Sequence, residues 1–249
     1  ASASCALALA LAACDGATTS AAGLDAGTAV DAAPDAPYIA LDAGPPGMAL
    51  LPLDACDDLV DDLYLTPAGL PAFDPSVRGV LLGCASVETI TAAQLATRLA
   101  GVPGLDVSSG DVRVYVIAYR TEREPRGVGG ISTALVYLPE VALSDRVPLV
   151  LLAHGTVGVA DACAPSRFVR DGSGVSMLPE SYEDALLLSF AARGLPVVAP
   201  DYAGLGTEGT HGYANWLDPT RSAVDGVRAL RALLPAARLD GGTIVYGHS

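Results

Sequence analysis

The clearest pattern lies in the middle of the chain. Val112, Val114 and Val116 alternate with Arg113, Tyr115 and Ile117, and this period of two predicts a strand over 111–121 with one wetter face. A charged, Gly-containing stretch, 120–130, reads as a hairpin-like connection. Ile131 to Leu138 then forms a second strand, stopped by Pro139. The next run, Val147 to Ala153, differs in being apolar at every position. It predicts a parallel strand covered by helices on both faces. Pro196 to Pro200 is a second run of this kind, and Thr243 to Tyr246 a third.

Between these runs the period lengthens. Ile90 to Ala100 predicts a short helix with Thr91 as N-cap and Gly101 at its end. Ser181 to Arg193 predicts a longer one, with Ser181 as N-cap, Asp184 three residues on and Gly194 at C′. Asp218 with Pro219 opens a third, along which Ala223, Val227, Leu230 and Leu234 mark one face before Pro235. Strands alternating with helices argue for an α/β fold, a mostly parallel sheet flanked by helices. No internal repeat is visible.

The first 77 residues are of another kind. They hold 11 acidic residues and no basic one, whereas residues 78–249 hold 17 acids against 14 bases. Most of the net charge of −14 therefore sits in a leader, and with no basic patch in either part nucleic-acid binding is not expected. The apolar run Cys5 to Ala13 is too short to span a bilayer and suits the h-region of a signal peptide. It ends in Leu11-Ala12-Ala13-Cys14, which resembles a bacterial lipobox, with Cys14 as the residue that takes lipid. The expected organisation is a signal-peptide remnant over 1–13 and an Asp/Ala/Pro/Gly-rich tether over 14–47, too apolar-poor to order itself. A lead-in segment over 48–110 and an α/β domain over 111–249 follow. With no Met at its start and a motif unfinished at its end, the chain reads as a fragment open at both ends.

Of the five cysteines, Cys56, Cys84 and Cys163 remain once Cys5 and Cys14 are assigned to the leader. An exported domain has little reason to keep three thiols, so a disulfide among them is expected. Cys56–Cys84 is favoured for its moderate loop, worth roughly 3 kcal/mol in the chain-entropy model. A bridge from Cys163 to either would instead brace the loop after the third strand.

The chemistry is carried by the ends of the three apolar strands: AHGTVG after Val147–Ala153, PDYAGLG after Pro196–Pro200, and YGHS closing the chain at Ser249. Gly247-His248-Ser249 at the end of a buried strand is the first half of a G-x-S-x-G nucleophile elbow. A second Gly-x-Ser, Gly174-Val175-Ser176, has no strand before it. Together the three motifs resemble the α/β-hydrolase superfamily, in particular the secreted bacterial and fungal lipases and esterases. The resemblance runs from about Val112 to Ser249, the N-terminal part of that fold.

The resemblance implies Ser249 as nucleophile, with Gly247 and His248 shaping the elbow. It implies one oxyanion donor in the loop after the third strand, Gly155 or, as the preferred choice, Thr156, with His154 holding that loop's shape. The order Ser, acid, His in this fold places the base and acid after residue 249, so His154, His211 and His248 are not the base. His211 is expected at a rim or on the surface, and Trp216 in an acyl pocket, in a lid or in simple packing. Asp201, which ends a strand ahead of the nucleophile, is expected to cap the turn that follows. The histidines give no metal-ligand spacing, and neither metal nor cofactor is implied.

The function implied is an exported serine hydrolase of carboxylic esters acting through an acyl-enzyme, with an ester or lipid as substrate and a membrane as partner through the lipid anchor. The isolated fragment is expected to be inactive. The same residues would serve a serine peptidase or acyltransferase, and a non-catalytic surface lipoprotein that keeps the fold for binding is the contrasting class.

Overall fold

A computed structural model describes residues 55–102, 110–140, 146–168, 182–235 and 239–248, with backbone alone at 168 and over 182–184. The expected signal peptide, lipid site at Cys14, tether and Ser181 cap, together with Gly174-Val175-Ser176 and Ser249, lie outside the described residues.

Among the described residues ten strands and α-helices follow in order: β1 (Leu81–Ile90), α1 (Ala92–Arg98), β2 (Val112–Arg123), β3 (Val128–Pro139), β4 (Val147–Ala153), α2 (Pro165–Phe168), α3 (Tyr182–Ala192), β5 (Val197–Pro200), α4 (Leu217–Leu233) and β6 (Leu239–Gly247). Six strands form one mixed sheet in the order β1-β2-β3-β5-β4-β6. β1, β2, β3 and β5 join antiparallel. β4 lies parallel to both β5 and β6, so the three apolar runs form the parallel half, and their C-terminal ends share one edge of the sheet.

Successive side chains of a strand point to opposite faces, and both faces of β2 and β4 are covered. By contrast β6, expected from its apolar run to be buried, lies at the edge of the described sheet and leaves Ile244 and Val245 exposed. Val112, Val114 and Val116 of β2, with Val150 and Leu152 of β4, pack under α1 and α3 through Leu95, Leu188 and Ala191. Tyr115, Ile117 and Tyr119, with Leu149 and Leu151, pack under α4 through Val227, Leu230 and Leu233. The wetter face expected of β2 is therefore dry except at Arg113 and, at the strand's end, Arg123. The reason is tertiary: α4 lands on it, and the Tyr119 hydroxyl donates to the Ser222 carbonyl at 2.8 Å. Burying each Leu or Val adds about 1.5–3 kcal/mol.

Local signals explain the helix ends. Thr91 caps α1 in a capping box with Gln94, as its spacing predicts. α3 closes at Gly194, φ +83°, where Leu195 N–H donates to Phe190 O and Gly194 N–H to Ala191 O. This Schellman turn needs a left-handed residue. α4 departs from expectation at its start. The helix begins at Leu217, with Trp216 in the cap position. Asp218 does not cap it but turns inward to pair with Arg123 at 3.3 Å and to accept from Glu124 N–H at 2.7 Å.

β1 is the strand that periodicity missed. Gly83, Ser86, Glu88 and Thr89 break its alternation, yet it pairs with β2 along its length. On its other side the lead-in crosses it through Asp58 N–H to Cys84 O and Ser86 N–H to Cys56 O. Cys56 and Cys84 form the disulfide expected from the sequence, across a separation of 28 residues. Cys163 is not part of that bridge and lies buried with Ala164 and Leu205.

Candidate active site

The ends of β4 and β6 are in register, with Ala153 opposite Gly247. His248 N–H donates to Ala153 O at 3.2 Å. The last residues before Ser249 thus run beside the start of the 154–158 loop, and the two segments form one wall of an open cleft of about 350 Å³. Tyr202, His211, Tyr213, Ala214 and Pro219 complete it. The cleft lies at the C-terminal ends of the parallel strands, where α/β sheets bind their ligands.

His154 is buried and fixed by three partners. Its Nδ1 lies 2.6 Å from Gly155 O and its Nε2 3.3 Å from Asp201 O. Both partners are carbonyl oxygens, so a bonded ring nitrogen carries its hydrogen. Its own carbonyl accepts from the Tyr202 hydroxyl at 3.0 Å, and the two rings stack with centroids 4.4 Å apart. A ring so engaged serves as a strut between the loops after β4 and β5. Tyr202 is held at φ +74°, a left-handed conformation that a bulky residue adopts only where its surroundings enforce it.

Gly155 and Thr156 follow. Gly155 is partly buried and Thr156 exposed, with its Oγ1 3.3 Å from the Tyr213 hydroxyl. Their backbone borders the same cleft as Gly247 and His248. A Cβ on Gly247 would meet no described atom within 4 Å. In the loop after β5, Gly204 at φ +79° has no such room: a Cβ there would lie 2.6 Å from Thr210 O.

Asp201 is fully buried behind the cleft and does not cap the turn that follows it. Its carboxylate accepts from Thr133 Oγ1 at 2.6 Å, from Ser166 N–H at 2.9 Å, and from the Ser166 hydroxyl. That hydroxyl stands 2.7 Å from the Tyr64 oxygen. Burial raises the Asp201 carboxyl above its ordinary range, against the lowering by bonds from Ser166 and Thr133. The group ties β3, β5 and α2 together below the cleft floor.

His211 is half-buried and borders the open cleft between Tyr202 and Tyr213, at centroid distances of 6.4 and 6.3 Å. Its buried Nδ1 has no hydrogen-bond partner among the described atoms. Burial lowers its pKa below the ordinary 6.5, so the ring favours its neutral form. Trp216 neither lines the cleft nor packs: it is 72% exposed. Tyr213, Thr133 and Ser166 were not singled out in the sequence, because nothing local marks a residue whose partner lies dozens of positions away. Among the described residues no group of three or more His, Cys, Asp or Glu could hold a metal ion.

No protein-family model matches the chain, and no curated protein does. Solved structures do. A rice cell wall degrading esterase, LipA from Xanthomonas oryzae, superposes with a TM-score of 0.54 at 24% identity, covering 69% of this chain and 42% of its own. Candida antarctica lipase A in its closed state superposes at 0.54 and 20% identity, covering 81% and 40%. A putative hydrolase from Legionella pneumophila does so at 0.51 and 26% identity, covering 67% and 43%. The chain spans about two fifths of the length of each. With its strand order and the cleft at its strand ends, this chain has the α/β-hydrolase fold that these lipase and esterase structures share.

Proposed function

We propose that this protein is an exported serine hydrolase that cleaves carboxylic esters, with Ser249 as its nucleophile. One observation carries the reading: β6 delivers Gly247 and His248 into the same cleft as the Gly155–Thr156 backbone, two strand ends held in register by β4. Likeness to an esterase and a lipase supports the reaction class. The Cys56–Cys84 disulfide supports an oxidising compartment.

On this reading a base takes the Ser249 proton as Oγ attacks the ester carbonyl carbon. The carbonyl oxygen becomes an oxyanion held by the N–H of Thr156, with Gly155 letting the chain pass close, and by the N–H of the residue after Ser249. Collapse expels the alcohol, which leaves with the proton from the base, and an acyl ester remains on Ser249. Water then repeats the sequence, releasing the acid and restoring the serine. The reading requires a base and an acid outside residues 1–248. His154 is committed to the loop carbonyls, and Asp201 to Ser166 and Thr133.

The test is the full-length protein with a fluorophosphonate and a p-nitrophenyl ester. Label at Ser249 together with turnover, both lost in Ser249→Ala, is the expected result. A correctly folded protein that takes no label and cleaves no ester overturns the reading and leaves a binding module.

A further inference from the structure

Two hydroxyls from loops 57 residues apart meet at the cleft: Thr156 Oγ1 and the Tyr213 oxygen, 3.3 Å from one another. Thr156 is the residue whose backbone N–H the proposed function assigns to the oxyanion. A hydroxyl carries one hydrogen and two lone pairs. A neighbour that donates to it settles where its own hydrogen goes.

The loop that presents Tyr213 is firmly built. Tyr213 N–H donates to His211 O at 2.8 Å and Asn215 N–H to Gly212 O at 2.9 Å. Between them Ala214 is held at φ +62°, which for a residue with a Cβ requires enforcement from its surroundings. The enforcement comes from beneath. A Cβ on Gly212 would lie 2.8 Å from Asp218 Oδ2, so the loop rests directly on Asp218. That carboxylate is buried, paired with Arg123 and bonded to the Glu124 N–H of the β2–β3 turn. The opposite loop is fixed by the His154 strut. Two rigid loops, rather than two flexible side chains, set the distance between the hydroxyls. Donors aimed before the reaction begins are what stabilise an oxyanion.

We propose that Tyr213 is a positioning residue for ester hydrolysis: its O–H donates to Thr156 Oγ1 and so turns the Thr156 O–H toward the carbonyl oxygen of an ester seated beside Ser249. Thr156 then supplies two donors, its N–H and its hydroxyl, and Tyr213 acts only through the second. This rests on the ester-hydrolase reading above and goes beyond it by adding a residue from the loop after β5.

The experiment is a double-mutant cycle in the full-length protein, read with p-nitrophenyl butyrate and by fluorophosphonate labelling of Ser249. Tyr213 is 57% exposed, so Tyr213→Phe keeps its fold and melting temperature. The expected result is a kcat about tenfold lower with KM unchanged, the loss of one ordinary hydrogen bond. Thr156→Val lowers kcat about a hundredfold, as removal of an oxyanion donor does, and Thr156→Ser recovers most of that loss. The double variant Tyr213→Phe/Thr156→Val is no worse than Thr156→Val alone, because Tyr213 has nothing left to orient. Losses that multiply, or an effect of Tyr213→Phe on KM alone, overturn the role of Tyr213 while an active, labelled wild type leaves the hydrolase reading standing. A wild type that neither cleaves nor takes label overturns both.

Discussion

Asp201 accepts two hydrogen bonds from Ser166, one from its N–H at 2.9 Å and one from its hydroxyl, and so ties the end of β5 to the first turn of α2. The pair sits behind the cleft, and with Thr133 it converts a buried carboxyl from a liability into a fastening.

Removing that fastening orphans three buried donors. Asp201→Ala should cost about 3 kcal/mol or more of unfolding free energy, measured by urea denaturation. Asp201→Asn keeps an oxygen acceptor and should cost much less. Because burial raises the Asp201 pKa above 3.8, the folded state binds more protons than the unfolded one between the two values. This group's contribution is therefore fully present at acid pH and lost as pH rises through its folded pKa. In Asp201→Asn that part of the pH dependence should vanish, and Ser249 should still take a fluorophosphonate. Loss of labelling in a folded Asp201→Asn would contradict a structural role.

The disulfide gives a second measurement. Cys84 is almost completely buried and Cys56 nearly so. Their loop spans 28 residues, for which chain entropy gives ~3.5 kcal/mol. The double variant Cys56→Ser/Cys84→Ser should lose about that much, and non-reducing peptide mapping should recover the Cys56–Cys84 peptide. A bridge to Cys163 in the map would contradict the structure.

His211 should titrate late on the way down. Burial holds its pKa below 6.5, with His154 and Arg123 adding to the lowering, and a ring N–H bond to the Ala203 carbonyl and the Asp218 charge opposing it. The unfolded chain then binds more protons than the folded one just below that value. Its stabilisation is present above pH 6.5 and lost as pH falls. An NMR titration of the ring should give a midpoint below 6.5. The stability lost between about pH 8 and about pH 5 should shrink in His211→Gln.

Cys14 is proposed as the lipid-bearing residue, which two acyl chains would anchor stably where one would not. Labelled palmitate supplied to cells expressing the full-length protein should mark wild type and not Cys14→Ser. Equal labelling of the two rules the anchor out.

Much of this protein is determined along the chain itself. β4 and β5 stand where their uninterrupted apolar runs place them, since a strand buried on both faces tolerates no polar position. The buried face of α4 is the one spaced by Ala223, Val227 and Leu230, the Thr91 side chain caps the start of α1, and Gly194, lacking a Cβ, closes α3. These are local effects, complete within a few residues. What tertiary structure decided is what one element receives from another. β1, too irregular to read alone, becomes a strand because β2 supplies its ladder and Cys56 its staple. The Tyr115 face of β2 is dry because α4, a hundred residues later, covers it. Asp218, poised as a cap, turns inward because the half-buried Arg123 at the end of β2 and the Glu124 N–H of the β2–β3 turn partner it there. Tyr213 meets Thr156 for the same kind of reason: the two stand on loops 57 residues apart, the first held by His154 and the second resting on Asp218.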